Sequence, residues 1–205
     1  MADTALQGWR MSALGAAFLC SGAAGLIYQV AWQRLLFASF GVDLISVCII
    51  VSTFMLGLGM GALAGGWIGD RFPGSALGFF VLCEGIIGSF GLLSPQLIRG
   101  LGAALNDASF VVTATGNFLL MLIPTAFMGA TLPILVAYLV RSWKNVGAAT
   151  GHLYALNTLG AMAGSSLTAF WLFHILELDQ TIHLAASVNY LVAVSTWLLF
   201  RGGKA

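Results

Sequence analysis

The sequence predicts an all-α, polytopic membrane protein: a six-helix transmembrane bundle with the N-terminus and the C-terminus inside. Three observations predict it. Of 205 residues, 60% are hydrophobic and only 7% are charged, whereas soluble domains carry about 25% charged residues. The mean hydropathy is +0.97, and apolar runs long enough for spanning helices recur along the chain. Finally, Gly57, Gly61, Gly65 and Gly69 recur at every fourth residue within LGLGMGALAGGWIGDRF. On a helix that spacing strips one stripe of side chains, so a second backbone can come into contact.

The same composition narrows the function. A net charge of +1 gives no argument for nucleic acid or for an acidic substrate. Cys20, Cys48 and Cys83 fall inside apolar runs and read as small core residues. No pair of them has metal-ligand spacing, so neither a metal nor a cofactor is expected. The G-x-G spacings lie inside a span and follow no strand, which removes the dinucleotide reading. MADTALQGWR leads directly into an apolar run without a small-residue cleavage site, so an uncleaved first span is expected. The chain reads as one transmembrane domain, 1–205, with the lipid bilayer as its first partner.

Six spans fit, at roughly 11–36, 44–69, 75–98, 110–140, 147–176 and 181–200. Each has the ~20 residues that a crossing requires, and the longer ones must tilt or kink. Arg10, Arg71, Arg141, Lys144, Arg201 and Lys204 would lie on one side, with Arg34 and Arg99 on the other. Six against two places both termini on the cytoplasmic side of a cell inner membrane. Asp43, Asp107, Glu177 and Asp179 fall in the outer connections, and all six tryptophans lie near span ends, where an aromatic belt belongs.

Within the spans a few polar residues stand out. Span one carries Ser21, Gly25 and Gln29 at fourth-residue spacing, with Tyr28 beside them and Gln33 one turn on. Lipid offers such side chains no partner, so they must face the bundle. Arg34 can snorkel to the outer surface. Glu84 lies near the middle of span three and is the one acid well inside a span. Intramembrane acids usually face the bundle interior or a water-filled cavity. Glu84 therefore reads either as a proton- or cation-binding group or as a hydrogen-bonded tie to Gln29 or Asn157. In span four, PTAFMGATLP places Pro124, Gly129 and Pro133 close together, which predicts a kink or a break. Span five pairs Gly160 with Gly164 for close packing and adds His152, Tyr154, Asn157 and Thr158. The substrate or proton candidates are Glu84, Gln29, Asn157, Tyr28 and Tyr154.

Taken together, SGAAGLIYQVAWQRLL, LGLGMGALAGGWIGDR, CEGIIG, GATLPIL and GHLYALNTLGAMAGS resemble the membrane region of bacterial spermidine-synthase-like proteins. Those proteins are often fusions of a major-facilitator-like membrane part with a soluble aminopropyltransferase domain. The resemblance runs from about 18 to 176, and it departs from the family at Gln29, where a glutamate is usual. GGWIGDRF, with Asp70 and Arg71, is similar to the cytoplasmic loop motif of major-facilitator transporters. Six spans would be half of such a transporter, which implies a homodimer or a partner supplying the rest.

The resemblance implies an integral membrane module that anchors or serves a polyamine-related enzyme. No motif of the soluble aminopropyltransferase domain is found in this sequence, so the chain is expected to be non-catalytic by itself and not an enzyme. Its partner would be a spermidine-synthase-like soluble protein. The alternatives are a small-solute transporter acting as a dimer, with a polyamine as one candidate solute, and a structural subunit of a membrane complex.

Overall fold

A computed structural model describes the backbone of residues 2–40, 44–105 and 108–201. The side chains of residues 2–8, 39–40, 44–46, 49 and 110 lie outside the described set, as do Asp43, Asp107 and Lys204. Six helices make up the described chain: α1 (Ala2–Phe40), α2 (Leu44–Arg71), α3 (Ala76–Ala104), α4 (Phe110–Trp143), α5 (Val146–Leu167) and α6 (Leu178–Phe200). The helices extend past the expected span limits because Leu, Met and Ala continue them into the flanks. A short 3-10 turn, Pro73–Ser75, joins α2 to α3. Beyond α5 the helix widens into a π turn, Thr168–Leu172, and finishes in Phe173–Ile175.

Five of the six helices are long and apolar enough to cross a membrane. α5 is not among them. Its 22 residues include Thr150, His152, Asn157, Thr158, Ser165 and Ser166 beside four glycines, so its mean hydropathy falls even though its backbone lies against α1. Outward-facing apolar side chains such as Leu63, Phe170, Val111 and Leu191 leave most of their surface exposed, as lipid-facing residues do.

Two close helix pairs organise the bundle. Along α2, a side chain at Gly57 would meet Thr125, one at Gly61 or Gly65 would meet the backbone of Ala126 or Ala130, and one at Gly69 would meet the methyl of Ala137 at 2.8 Å. α4 returns the arrangement, because Gly129 lies against the backbone of Leu58. Gly59 and Gly66 face open space, so the two that break the fourth-residue spacing are not part of this contact. The second pair joins α1 and α5, where Gly160 and Gly164 lie on the carbonyls of Leu19 and Ala23, and Gly22 lies on Asn157.

Of the kink or break expected in span four, the break is not there. α4 runs continuously from Phe110 to Trp143 through both Pro124 and Pro133. Its neighbours hold it: α2 lies along the face of α4 that carries Thr125, Ala126 and Ala130, and the helix cannot swing away without losing that contact. Thr125 and Thr131 turn their hydroxyls back onto the carbonyls of Met121 and Met128, at 2.8 and 2.7 Å. A separate irregularity is the π turn after α5, where Thr168 donates to the carbonyl of Gly164 at 2.7 Å.

Helix ends are set by local chemistry. Lys144 closes α4 in the left-handed region, φ 53°, and Asn145 caps α5 by accepting from the N–H of Ala148 at 3.0 Å. Glu177 and Gln180 form a capping box at the start of α6. Near that end Arg99 of α3 grips Asp179 with two hydrogen bonds of 2.7 Å, and Arg34 lies over the ring of Phe173 at 3.9 Å.

Candidate functional site

Two apolar layers fill the interior. One gathers Tyr28, Trp32, Phe54, Ile87 and Ile182; the other gathers Phe18, Phe80, Ile134, Leu135 and Leu153. Glu84 lies where they meet, because Cys83 belongs to one layer and Ile87 to the other. It is 0% exposed. Each carboxylate oxygen accepts one hydrogen bond: Ser21 Oγ of α1 reaches Oε1 at 2.5 Å, and Asn189 Nδ2 of α6 reaches Oε2 at 2.6 Å. The carboxylate thus ties α1, α3 and α6 at one level. It has no ion pair among the described residues.

Against this cluster lies a cavity of about 120 Å³. Its polar lining is Ser21, Gln29, Thr131, Asn157 and Asn189, and its remaining walls include Gly25, Leu58 and Met128. Gly25 has nothing within 4 Å of where a Cβ would stand, so the missing side chain is part of the open space. Ser21 and Asn189 both line the cavity and both bond Glu84. Glu84 is therefore one hydrogen bond away from the cavity rather than in its wall. Asn189 is 2% exposed, and its Oδ1 has no partner. A buried carbonyl oxygen left this way is a vacant acceptor. The arrangement can hold water, a proton, or one small group that donates hydrogen bonds.

Sequence reasoning and structure agree only in part over which residues meet. Gln29 and Asn157 share the cavity with the neighbours of Glu84, but they are not its hydrogen-bond partners; Ser21 and Asn189 are. Asn157 instead lies against Gly22 on α1. Tyr28 is buried, stacked on Trp32 at 4.6 Å, with its ring against Gly91 and its hydroxyl unpartnered. It stands outside the cavity lining. Tyr154 is 60% exposed on the outer face of α5 and belongs to no part of the cluster. The residue that sequence reasoning missed is Asn189. An asparagine inside an apolar run must bond something in the bundle, and that signal was available.

Asp70 and Arg71 end α2 and are exposed. Asp70 opens onto a cavity of about 480 Å³ between α2 and α4, which Thr150 at the start of α5 also lines.

The class defined by this geometry is an all-α protein with several membrane-type helices around a buried, hydrogen-bonded carboxylate. The comparisons are more particular. The chain is 29% identical over 199 residues, 93% of its length, to a polyamine aminopropyltransferase of Mycobacterium tuberculosis, and the match covers 36% of that protein. It is 28% identical over 167 residues to polyamine aminopropyltransferase 1 of Streptomyces coelicolor, covering 80% of this chain and 29% of that protein. A polyamine aminopropyltransferase of Corynebacterium efficiens is 27% identical over 195 residues, 91% of this chain and 35% of that protein. The chain spans about a third of the length of the curated relatives it matches. No protein-family model and no solved structure matches it.

The resemblance to spermidine-synthase-like proteins is thus matched by relatives with that activity in their names. One expectation is overturned. The chain was expected not to be an enzyme, yet the proteins it resembles along nearly all of its length are named as enzymes, and this points to an enzyme. The expectation rested on missing soluble-domain motifs, a signal to which apolar helices contribute nothing.

Proposed function

We propose that this chain forms the membrane part of a polyamine aminopropyltransferase-type enzyme and holds that enzyme at the cytoplasmic membrane. The observation that carries the reading is the similarity to polyamine aminopropyltransferases over 93% of the chain. All six helices cross the bilayer as one domain, α5 included, with both termini inside. α5 is carried across by its close backbone contact with α1, which covers Gly160 and Gly164. The aminopropyl-transferring part, on the same polypeptide or on a soluble partner, docks at the α2–α3 and α4–α5 connections. Localised enzyme activity tests this. Aminopropyl transfer should sediment with membranes from the native organism and move to the soluble fraction, or disappear, when this coding region is deleted. Unchanged activity in the membrane pellet of the deletion strain contradicts the reading.

A second reading is favoured by one specific observation, the polar cavity beside Glu84. In it a homodimer passes a small cationic solute, and Glu84 takes up the proton or the cation. Proteoliposomes should then accumulate a labelled polyamine, and Glu84→Gln should abolish uptake. Equal uptake by that variant removes Glu84 from the reading, and no uptake by either protein removes the reading itself.

A further inference from the structure

At the end of the bundle where α2 turns into α3, a second cavity of about 410 Å³ opens between α1, α3, α4 and α6. Three arginines line it: Arg10 from α1, Arg141 from the last turn of α4, and Arg201 just beyond α6. No carboxylate lines it among the described residues. Asp70 faces the neighbouring cavity, which shares only Pro73 with this one. None of the three arginines pairs with an acid among the described residues. Arg10 stands 6.0 Å from the ring of Phe200, and Arg201 stands 5.0 Å from that of Trp197. Aromatic faces thus orient two of the cations while leaving their N–H donors available.

Two further features point to a ligand. Thr196 lines the cavity, is 2% exposed, and its hydroxyl has no partner. Tyr138 adds a second hydroxyl to the lining, on the helix that carries Arg141. Apart from Ser75 the rest of the wall is apolar, with Leu77 and Val81 along α3 and Trp197 and Phe200 along α6. Like charges brought together without an acid repel one another, so such a group is stable when an anion sits among them. A phosphate suits guanidinium forks, which bind its oxygens in pairs. An apolar wall running from that point into the bilayer suits an acyl chain.

We propose that this cavity is a binding site for a phosphate-bearing anion, the headgroup of an anionic phospholipid. Its phosphate sits among Arg10, Arg141 and Arg201 and accepts from the hydroxyl of Thr196. The first acyl carbons lie along Leu77 and Val81. The inference goes beyond the proposed function and does not depend on it.

The test is thermal unfolding of the full chain in a neutral detergent, titrated separately with short-chain phosphatidylglycerol, phosphatidylcholine of the same chain length, and inorganic phosphate. Phosphatidylglycerol should raise the unfolding midpoint and phosphatidylcholine should not. Arg141→Gln should weaken the apparent affinity for phosphatidylglycerol about fivefold, the scale of one cation at a membrane surface. The triple variant R10Q/R141Q/R201Q should abolish the response. Thr196→Val should weaken it without lowering the lipid-free midpoint, and Arg71→Gln, outside the cavity, should leave it unchanged. If inorganic phosphate reproduces the whole effect and phosphatidylglycerol adds nothing, the phosphate comes from solution and the headgroup assignment falls. Equal stabilisation by phosphatidylcholine, or a full response in the triple variant, overturns the site altogether. Should the triple variant not fold, the Arg141→Gln shift decides alone.

Discussion

At the scale of single residues, Glu84 and Asn189 depend on each other unequally. Removing Asn189 leaves a buried carboxylate with Ser21 as its one donor, whereas Glu84→Gln keeps a group of the same shape that can still bond both neighbours. Asn189→Leu should therefore destabilise the protein by about 1–3 kcal/mol more than Glu84→Gln does. Thermal unfolding of both variants in the same detergent checks this, and equal stability would remove the cluster's structural role. Glu84 was legible in the sequence because an acid inside an apolar run is rare. Its partners were not, since Ser21, Gln29, Asn157 and Asn189 all satisfy the same rule for intramembrane polar groups. Which of them meets Glu84 depends on how α1 and α6 are rotated against α3. Tyr154 shows the same limit from the other side: one turn from Asn157 in sequence, it points away from the bundle.

At the scale of helices, the fourth-residue glycines announced close packing but not the partner. A spacing on α2 says which face is bare, and nothing in it selects α4 over the other helices. The structure makes the selection through Thr125, Ala126, Ala130 and Gly129, small residues whose spacing complements the ladder. Gly61→Leu should force α2 and α4 apart and cost about 1–3 kcal/mol or more. Gly59→Ala, which enters open space, should be neutral or stabilise by up to about 1 kcal/mol. Unfolding midpoints for the two variants should move in opposite directions or differ by several degrees; matched losses would contradict the α2–α4 contact. Pro124 and Pro133 show why local rules leave α4 open between a kink and a break. A proline removes one hydrogen bond, but whether the helix breaks depends on the helices lying along it, which local sequence does not reveal.

At the scale of the whole molecule, the bundle sorts its charges. Arg10, Arg141 and Arg201 gather around one cavity, while Arg34 rests on Phe173 and Arg99 pairs with Asp179 away from it. The proposed topology puts the first group in the cytoplasm. In a background without the native cysteines, a membrane-impermeant maleimide should label Ala104→Cys in intact spheroplasts and label Lys144→Cys only after lysis. The reverse pattern would invert the topology. The all-α class was legible because composition and apolar run length suffice for it. α5 was harder to read, since Gly160, Gly164 and Asn157 make sense only against α1. These helices are proposed to serve a polyamine aminopropyltransferase-type enzyme. Cross-linking of native membranes, followed by mass spectrometry of every peptide joined to this chain, tests it most directly. Links are expected from the Asp70–Pro73 and Trp143–Val146 connections to aminopropyltransferase-like sequence, on this polypeptide or another. Links to the chain's own helices alone, with none to such sequence, would contradict it.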